Sequence, residues 1–316
     1  MVQFRALQET DTEQIETLLH SLWGHDPSML AAYSMHRIWP AGGFLRRSLV
    51  AVDGDALIAA ATIFQSSFHP SYLYVIINVA HERQRQGIGS ALLARLRSVA
   101  PGHGLMAKAT QRDTAGMRFL RKHGFHIAVH SSTGLIDPQS PDAKRWLEGM
   151  PTSVDGFEIM PWDSDKGAVT RLDLARQHAA VYAGFHTWNP LAALSDQVVL
   201  ARFGGEDVIE GSTLLVLRDG MLCGAASLIR NPFAASAQGE EASEAYLVNI
   251  GVTGVPEPQS NQLTAALIRR SIEWAGVNGY RVRFEADDTY QPHYTLFSAA
   301  PATEVDRDLV ALLADG

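Results

Sequence analysis

Apolar positions in the first 130 residues alternate between strand-length runs and helical repeats. Leu49–Asp53, Ala56–Gln65 and Tyr72–Ala80 are short runs rich in Val, Ile and Ala, bounded by turn residues, and predict three strands. Gly87–Val99 instead places Leu92, Leu93 and Leu96 on one helical face. Leu105–Ala109 then predicts a strand, Ala115–His123 a helix stopped by Gly124, and Phe125–His130 a strand. Upstream, Thr10 and Glu13 form a candidate capping box for a helix through Leu19, and Pro27–Ile38 is a second helical stretch. Strands interleaved with helices in this order predict an α/β (α+β) fold, a mixed sheet with helices on both faces.

The same plan recurs in the second half. Phe4–Asp11 resembles Phe157–Asp165, and Val50–Ala61 resembles Val216–Ala226, each of the latter with Asp-Gly between apolar runs, a strong hairpin signal. Tyr72–Val79 is matched by Tyr246–Val252, and Ser271–Ala275 and Tyr280–Glu285 supply the next helix and strand. Residues 137–155 hold Pro138, Pro141 and Pro151 around one short helical stretch, Asp142–Glu148, and read as a connection. The organisation expected is a domain at residues 1–140, a linker at 141–156 and a second domain at 157–316. Pro232–Ser243 is expected to be a loop, either a surface insertion or a lid.

Composition narrows the function. A formal charge of −8 in 316 residues argues against a nucleic-acid partner, which needs clustered cations. The single cysteine, Cys223, lies in an apolar run and excludes an intrachain disulfide. No apolar run approaches the ~20 residues of a membrane span, and residues 1–11 lack a signal peptide's pattern, so a cytoplasmic protein without a membrane partner is expected. His25, His69 and His81 show no metal-ligand spacing with one another, and no metal is expected.

The candidate chemistry lies after Val79, in Ala80-His-Glu-Arg-Gln-Arg-Gln-Gly-Ile-Gly-Ser90. A strand, a glycine-bearing turn and a helix start expose unpaired main-chain N–H groups carrying partial positive charge, which suits a phosphate. Gly87 and Gly89 carry no side chain to keep a diphosphate away, and Arg83 and Arg85 add charge.

This run resembles the coenzyme A motif of the Gcn5-related N-acetyltransferases (GNAT), Gln/Arg-x-x-Gly-x-Gly/Ala, with Gln84, Gly87 and Gly89 at its key positions. Phe119-Leu-Arg-Lys-His-Gly-Phe125 resembles the family's later LYEKLGF segment, and Asp113 stands where the family often has Asn. The resemblance covers about residues 3–131. It implies acetyl-CoA as co-substrate, bound by Val79, Ala80, Gln84, Arg85, Gln86, Gly87, Ile88, Gly89, Ser90 and Asp113, and direct attack on it by an amine. Leu120 replaces the family's frequent acidic Tyr, and leucine cannot donate a proton. In the second half, Thr253–Leu267 resembles the same motif with both glycine positions lost, to Gln262 and Thr264, which implies a degenerate domain.

Tyr72–Val79 contains no carboxylate; Glu82, just beyond it, is the candidate catalytic base or a solvated loop residue. Tyr72, Tyr74 and Asn78 share one strand face and are candidate substrate residues, the alternative being that they pack beneath a helix. His25, His69 and His81 are candidate proton relays; Glu244, Tyr246, Asn249, Tyr290, His293 and Tyr294 belong to a half expected either to shape a substrate pocket against the first or only to bury the shared interface. The resulting expectation is acetyl transfer to a primary amine of a small molecule or peptide by a monomer with pseudo-dimeric domains. The rival is a non-catalytic acyl-CoA sensor or scaffold.

Overall fold

The structure is a computed structural model that describes residues 1–25, 30, 45–163, 169–205, 207–230 and 243–314, with only the backbone at 304. The expected helix Pro27–Ile38, apart from Leu30, and the expected loop Pro232–Ser243, apart from Ser243, lie outside the described residues. Contacts divide the chain into two units. Unit 1 comprises Met1–Ala109, Thr114–Ala128 and Val310–Gly316; unit 2 comprises Thr110–Asp113 and Val129–Leu309. This division differs from the ranges 1–140 and 157–316, because residues 110–113 and 129–140 count with the second unit and the chain's C-terminal residues with the first.

Unit 1 has the order β1 (Val2–Ala6), β2 (Arg46–Asp53), β3 (Ala56–Gln65), β4 (Tyr72–Val79), β5 (Gly104–Thr110), followed by the end of β12 (Thr303–Leu313). The first four strands are antiparallel neighbours, and β4 runs parallel to β5. The β2–β3 hairpin turns at Gly54, whose φ of 62° suits glycine. Helix α1 (Thr12–Trp23) packs on β3 and β4, burying Ile15, Leu18 and Leu19 against Val50 and Ala60. Helix α2 (Ile88–Ser98) packs on β2, β3 and β4 through Ile88, Leu92, Leu93 and Leu96. Each such buried aliphatic side chain contributes about 1.5–3 kcal/mol. Helix α3 (Thr114–Lys122) follows β5.

The expected Thr10–Glu13 capping box is replaced by another. Asp11 accepts the Gln8 N–H at 2.8 Å and pairs with both terminal guanidinium nitrogens of Arg5 at 2.7 Å, and a 3-10 turn, Glu9–Asp11, precedes α1. The Arg5 guanidinium holds the Asp11 carboxyl below the ordinary carboxylate range. Strand β6 (His126–Ile136) runs well past the expected end at His130; its residues from Val129 count with unit 2, where Ser131–Ile136 pair with β11 (Arg281–Asp287).

Unit 2 has the order β12, β6, β11, β10 (Glu244–Val252), β9 (Met221–Arg230), β8 (Leu214–Arg218), β7 (Glu158–Pro161). Asp219 and Gly220, at φ 52° and 76°, make the two-residue turn between β8 and β9. Helix α4 (Pro141–Glu148) starts at the Ser140 cap; α5 (Arg171–Phe185) and α6 (Asp196–Phe203) follow β7. Helix α7 (Gln259–Val277) buries Leu263, Leu267, Ile268 and Ile272 on β8–β11, and α8 (Gln291–Ser298) follows β11. Helix α5 packs against β9 and β10, where Leu174 meets Ala225. Cys223 packs against the unit 2 core, donates to the Val216 carbonyl at 3.4 Å, and has its thiol pKa raised by burial. Among the described residues, no helix is long and apolar enough to cross a membrane.

Candidate functional site

In unit 1 the site begins where β4 leaves its parallel partner. The two strands pair only at Tyr72↔Gly104, Leu73↔Leu105 and Tyr74↔Met106, and then part. On the other side β4 stays paired with β3 through Ala59↔Val79. The Ala80 N–H donates to the Ile58 carbonyl at 3.0 Å, which makes Ala59 and Val79 a non-hydrogen-bonded pair. Main-chain groups of Val79 therefore point away from β3, toward the gap. The Val79 carbonyl accepts from Gln84 Nε2 at 3.2 Å, and its N–H meets no acceptor among the described residues. Ala80, expected to bind cofactor, has its N–H committed to β3.

The chain then makes a 3-10 turn, His81–Arg83, and swings through two left-handed residues, Arg85 at φ 61° and Gly87 at φ 84°. Gly87 is the α2 N-cap, and a Cβ there would meet nothing within 4 Å. No side chain caps α2 and no acid lies in its first turn; among the described residues, no acceptor takes the N–H groups of residues 85–90. The start of α2 thus carries a partial positive charge of roughly half a unit that no described residue neutralises. Gln86 is tied to the loop by its Nε2 bond to the Glu82 carbonyl at 3.0 Å. Ile88 is buried and anchors the helix start.

Gly89 is different. A Cβ there would stand 3.2 Å from the Phe119 ring, so this glycine lets α3 pack against α2. Arg83 is drawn off by Asp53 at 3.0 Å, an acid that also takes the N-terminal ammonium at 3.1 Å; these cations hold the Asp53 carboxyl low. Arg85 is exposed. Asp113 lies in the Thr110–Asp113 turn, which counts with unit 2.

Tyr72, Tyr74 and Asn78 point to the α1 side of β4. The Tyr72 ring lies over Gly104, Tyr74 stacks on Phe64 at 5.0 Å, and buried Asn78 accepts from Trp23 Nε1 at 3.3 Å. Glu82 is an exposed turn residue, and His81 is exposed beside Gln84. His69 is buried against Phe68, and the His25 ring lies 4.9 Å from His20. Leu120 is a buried face residue of α3. One polar residue was not singled out from the chain: His123, whose Nε2 lies 2.9 Å from Ser90 Oγ. Its signal was the i, i+4 spacing from Phe119, which places it one turn along the helix face that packs on Gly89.

Unit 2 repeats the splay but closes it. β10 and β11 pair only at Glu244↔Arg281 through Tyr246↔Arg283, and Thr253 N–H donates to Cys223 as Ala80 does to Ile58. Helix α7, however, begins at Gln259, so Gln262 and Thr264 already lie inside it. The Ser260 and Gln262 N–H groups are bonded to the Pro256 and Pro258 carbonyls at 3.1 and 3.2 Å. Tyr290 wedges its phenol against Gly251, 3.4 Å from buried Thr264 Oγ1, with its ring 3.8 Å from Phe185; burial raises its pKa. Glu244 is buried between Arg281 and Arg283, at 3.1 and 2.9 Å; Arg283 in turn acts against the burial-raised Tyr246 pKa. Asn249 takes φ 54° at a bulge in β10. His293 is buried among Phe185, Tyr290 and Phe297, beside Tyr294.

Residues 12–125 match the model of the acetyltransferase (GNAT) family. No curated protein matches the chain. Among solved structures, a GCN5-related N-acetyltransferase from Sphaerobacter thermophilus is similar over 99% of this chain and 95% of its own, with a TM-score of 0.62 and 14% identity. A tandem GNAT protein from the clavulanic acid biosynthesis pathway is similar over 100% and 99%, with a TM-score of 0.57 and 15% identity. The GCN5-related glucosamine N-acetyltransferase region of a fungal multi-domain enzyme aligns with 99% of this chain, over 38% of its own length, at a TM-score of 0.63 and 9% identity. Residues 12–125 thus resemble the acetyltransferase (GNAT) family, and over its whole length the chain has the fold of tandem GNAT proteins.

Proposed function

We propose that the protein is an N-acetyltransferase that moves acetyl from acetyl-CoA to a primary amine of a small molecule or peptide, with unit 1 as the working half. The carrying observation is the pairing of an uncapped α2 start, with N–H groups at 85–90 unmet among the described residues, and a Val79 N–H facing the β4–β5 gap. These features fit the co-substrate: a diphosphate suits the first and a carbonyl oxygen the second. Acetyl-CoA, when bound, supplies an acetyl group activated as a thioester. The N–H groups of residues 85–90 hold the diphosphate, Gln84 fixes the turn through Val79, and Val79 N–H stabilises charge developing on the carbonyl oxygen. Tyr72, Tyr74 and Asn78 wall the acceptor side, and Glu82 at its mouth takes up the amine's proton. Leu120 supplies no proton to the departing thiolate, which leaves that task to solvent.

The second reading, a non-catalytic acyl-CoA sensor, is motivated by Leu120. Thiol release from acetyl-CoA with a panel of polyamines, amino acids, aminoglycosides and peptides separates the two. Amine-dependent release is expected, and binding without release for every amine favours the sensor. For the loop itself, Gly87→Glu is expected to abolish acetyl-CoA binding in calorimetry. Gly220→Glu, at an equally left-handed and open glycine in the β8–β9 hairpin of unit 2, is expected to leave it intact. Equal affinities for the two variants refute the assignment.

A further inference from the structure

Ser90 is the third residue of α2, and side chains on a helix lean toward its N-terminus, so its hydroxyl sits beside the unpaired N–H groups. That hydroxyl is in contact with His123 Nε2 at 2.9 Å. The His123 ring is itself held by Phe119 at a centroid distance of 4.5 Å, and Phe119 abuts Gly89. A chain of packed groups thus runs from α3 to the loop.

The direction of the Ser90–His123 hydrogen bond decides what the loop offers. If Nε2 carries no proton, Ser90 donates to it and turns only lone pairs to the loop, which repel an anion. If Nε2 is protonated, as it always is in the imidazolium but in only one tautomer of the neutral ring, the ring donates to Oγ and the hydroxyl proton is free to donate elsewhere. We propose that His123 is a positioning residue of the loop: donating from Nε2, it holds Ser90 as an additional donor to the coenzyme A diphosphate and makes that affinity depend on pH. This inference rests on the coenzyme A reading above.

Burial, then the cations Lys122 on α3 and Arg97 on α2, hold the His123 pKa of the free protein below its ordinary value. A bound diphosphate favours the imidazolium and raises the pKa in the complex. The imidazolium's share of the affinity gain is therefore absent above the complex's pKa, grows as pH falls through it, and is complete below the free protein's pKa.

The test is calorimetric titration of coenzyme A into the full chain and its Ser90→Ala, His123→Ala, His123→Gln and Ser90→Ala/His123→Ala variants, at pH 8 and pH 6. Referring each affinity to that of Ser90→Ala at the same pH cancels the ligand's own phosphate titration. Ser90→Ala and His123→Ala are each expected to weaken binding by about five- to twentyfold at pH 6, and the double variant no further. His123→Gln, a donor that does not titrate, is expected to keep most of the affinity and lose the pH dependence. His123→Ala within twofold of the wild type, multiplicative loss in the double variant, or an unchanged pH slope in His123→Gln each overturns the proposal. No heat with the wild type overturns the coenzyme A reading as well, so the two failures are distinct.

Discussion

At the scale of single residues, burial decides more than side-chain type. His178 and His293 are both almost completely enclosed, and burial lowers their pKa values to about 4 and about 3. Each ring is neutral when folded, while the unfolded ring takes a proton near its ordinary value of 6.5. The unfolded state therefore binds more protons below pH 6.5. The stability both rings contribute is complete above 6.5 and is lost as pH falls toward 4 and 3. Each ring costs about 2 kcal/mol at pH 5 relative to pH 7.5. Urea unfolding at the two pH values is expected to show that fall, and His293→Phe to remove about half of it; a midpoint unchanged between them contradicts the burial account. Tyr72, Tyr74 and Asn78 show the same lesson from the other side. Their shared face was legible from period two, but that Asn78 would be taken by Trp23 and Tyr74 by Phe64 was not.

At the scale of elements, two helix starts with related sequences behave in opposite ways. Helix α2 starts right after a left-handed glycine and leaves its N–H groups bare; α7 starts at Gln259, where Pro256 and Pro258 carbonyls fill the first turn. Missing glycines were visible in the chain, yet the closing of the splay by Tyr290 was not, because it depends on Phe185, Gly251 and Thr264 converging from three elements. Restoring glycines should therefore not restore a site. Gln262→Gly with Thr264→Gly is expected to leave binding at one coenzyme A per chain. From helix propensity it is also expected to cost α7 about 1 kcal/mol, a fall in Tm of roughly 2–4 °C. Two coenzyme A per chain in calorimetry contradicts this account.

At the scale of the whole molecule, chain order and spatial order diverge. Residues 310–313 of β12 belong to unit 1, where Val310, Ala311 and Leu312 are buried and Leu313 lies against Gly104 and Gly124. Without them, β5 loses the strand that covers its edge away from β4. A chain ending at Leu309 keeps every loop residue from Gln84 to Ser90 and is nevertheless expected to lose most of its acetyl-CoA affinity and to melt earlier by differential scanning calorimetry. Unchanged affinity contradicts the role given to this strand.

Local chemistry was readable directly. A glycine after a strand needs only its neighbours to adopt φ above zero, and apolar spacing alone sets which side of α2 is buried, so the loop, the paired halves and most element types were written in the sequence. Strand partners, the Ser90–His123 contact and the membership of residues 310–313 in unit 1 were not. Each joins residues far apart in the chain, and such pairings are selected by the summed burial and hydrogen bonding of the whole fold, which no local pattern encodes.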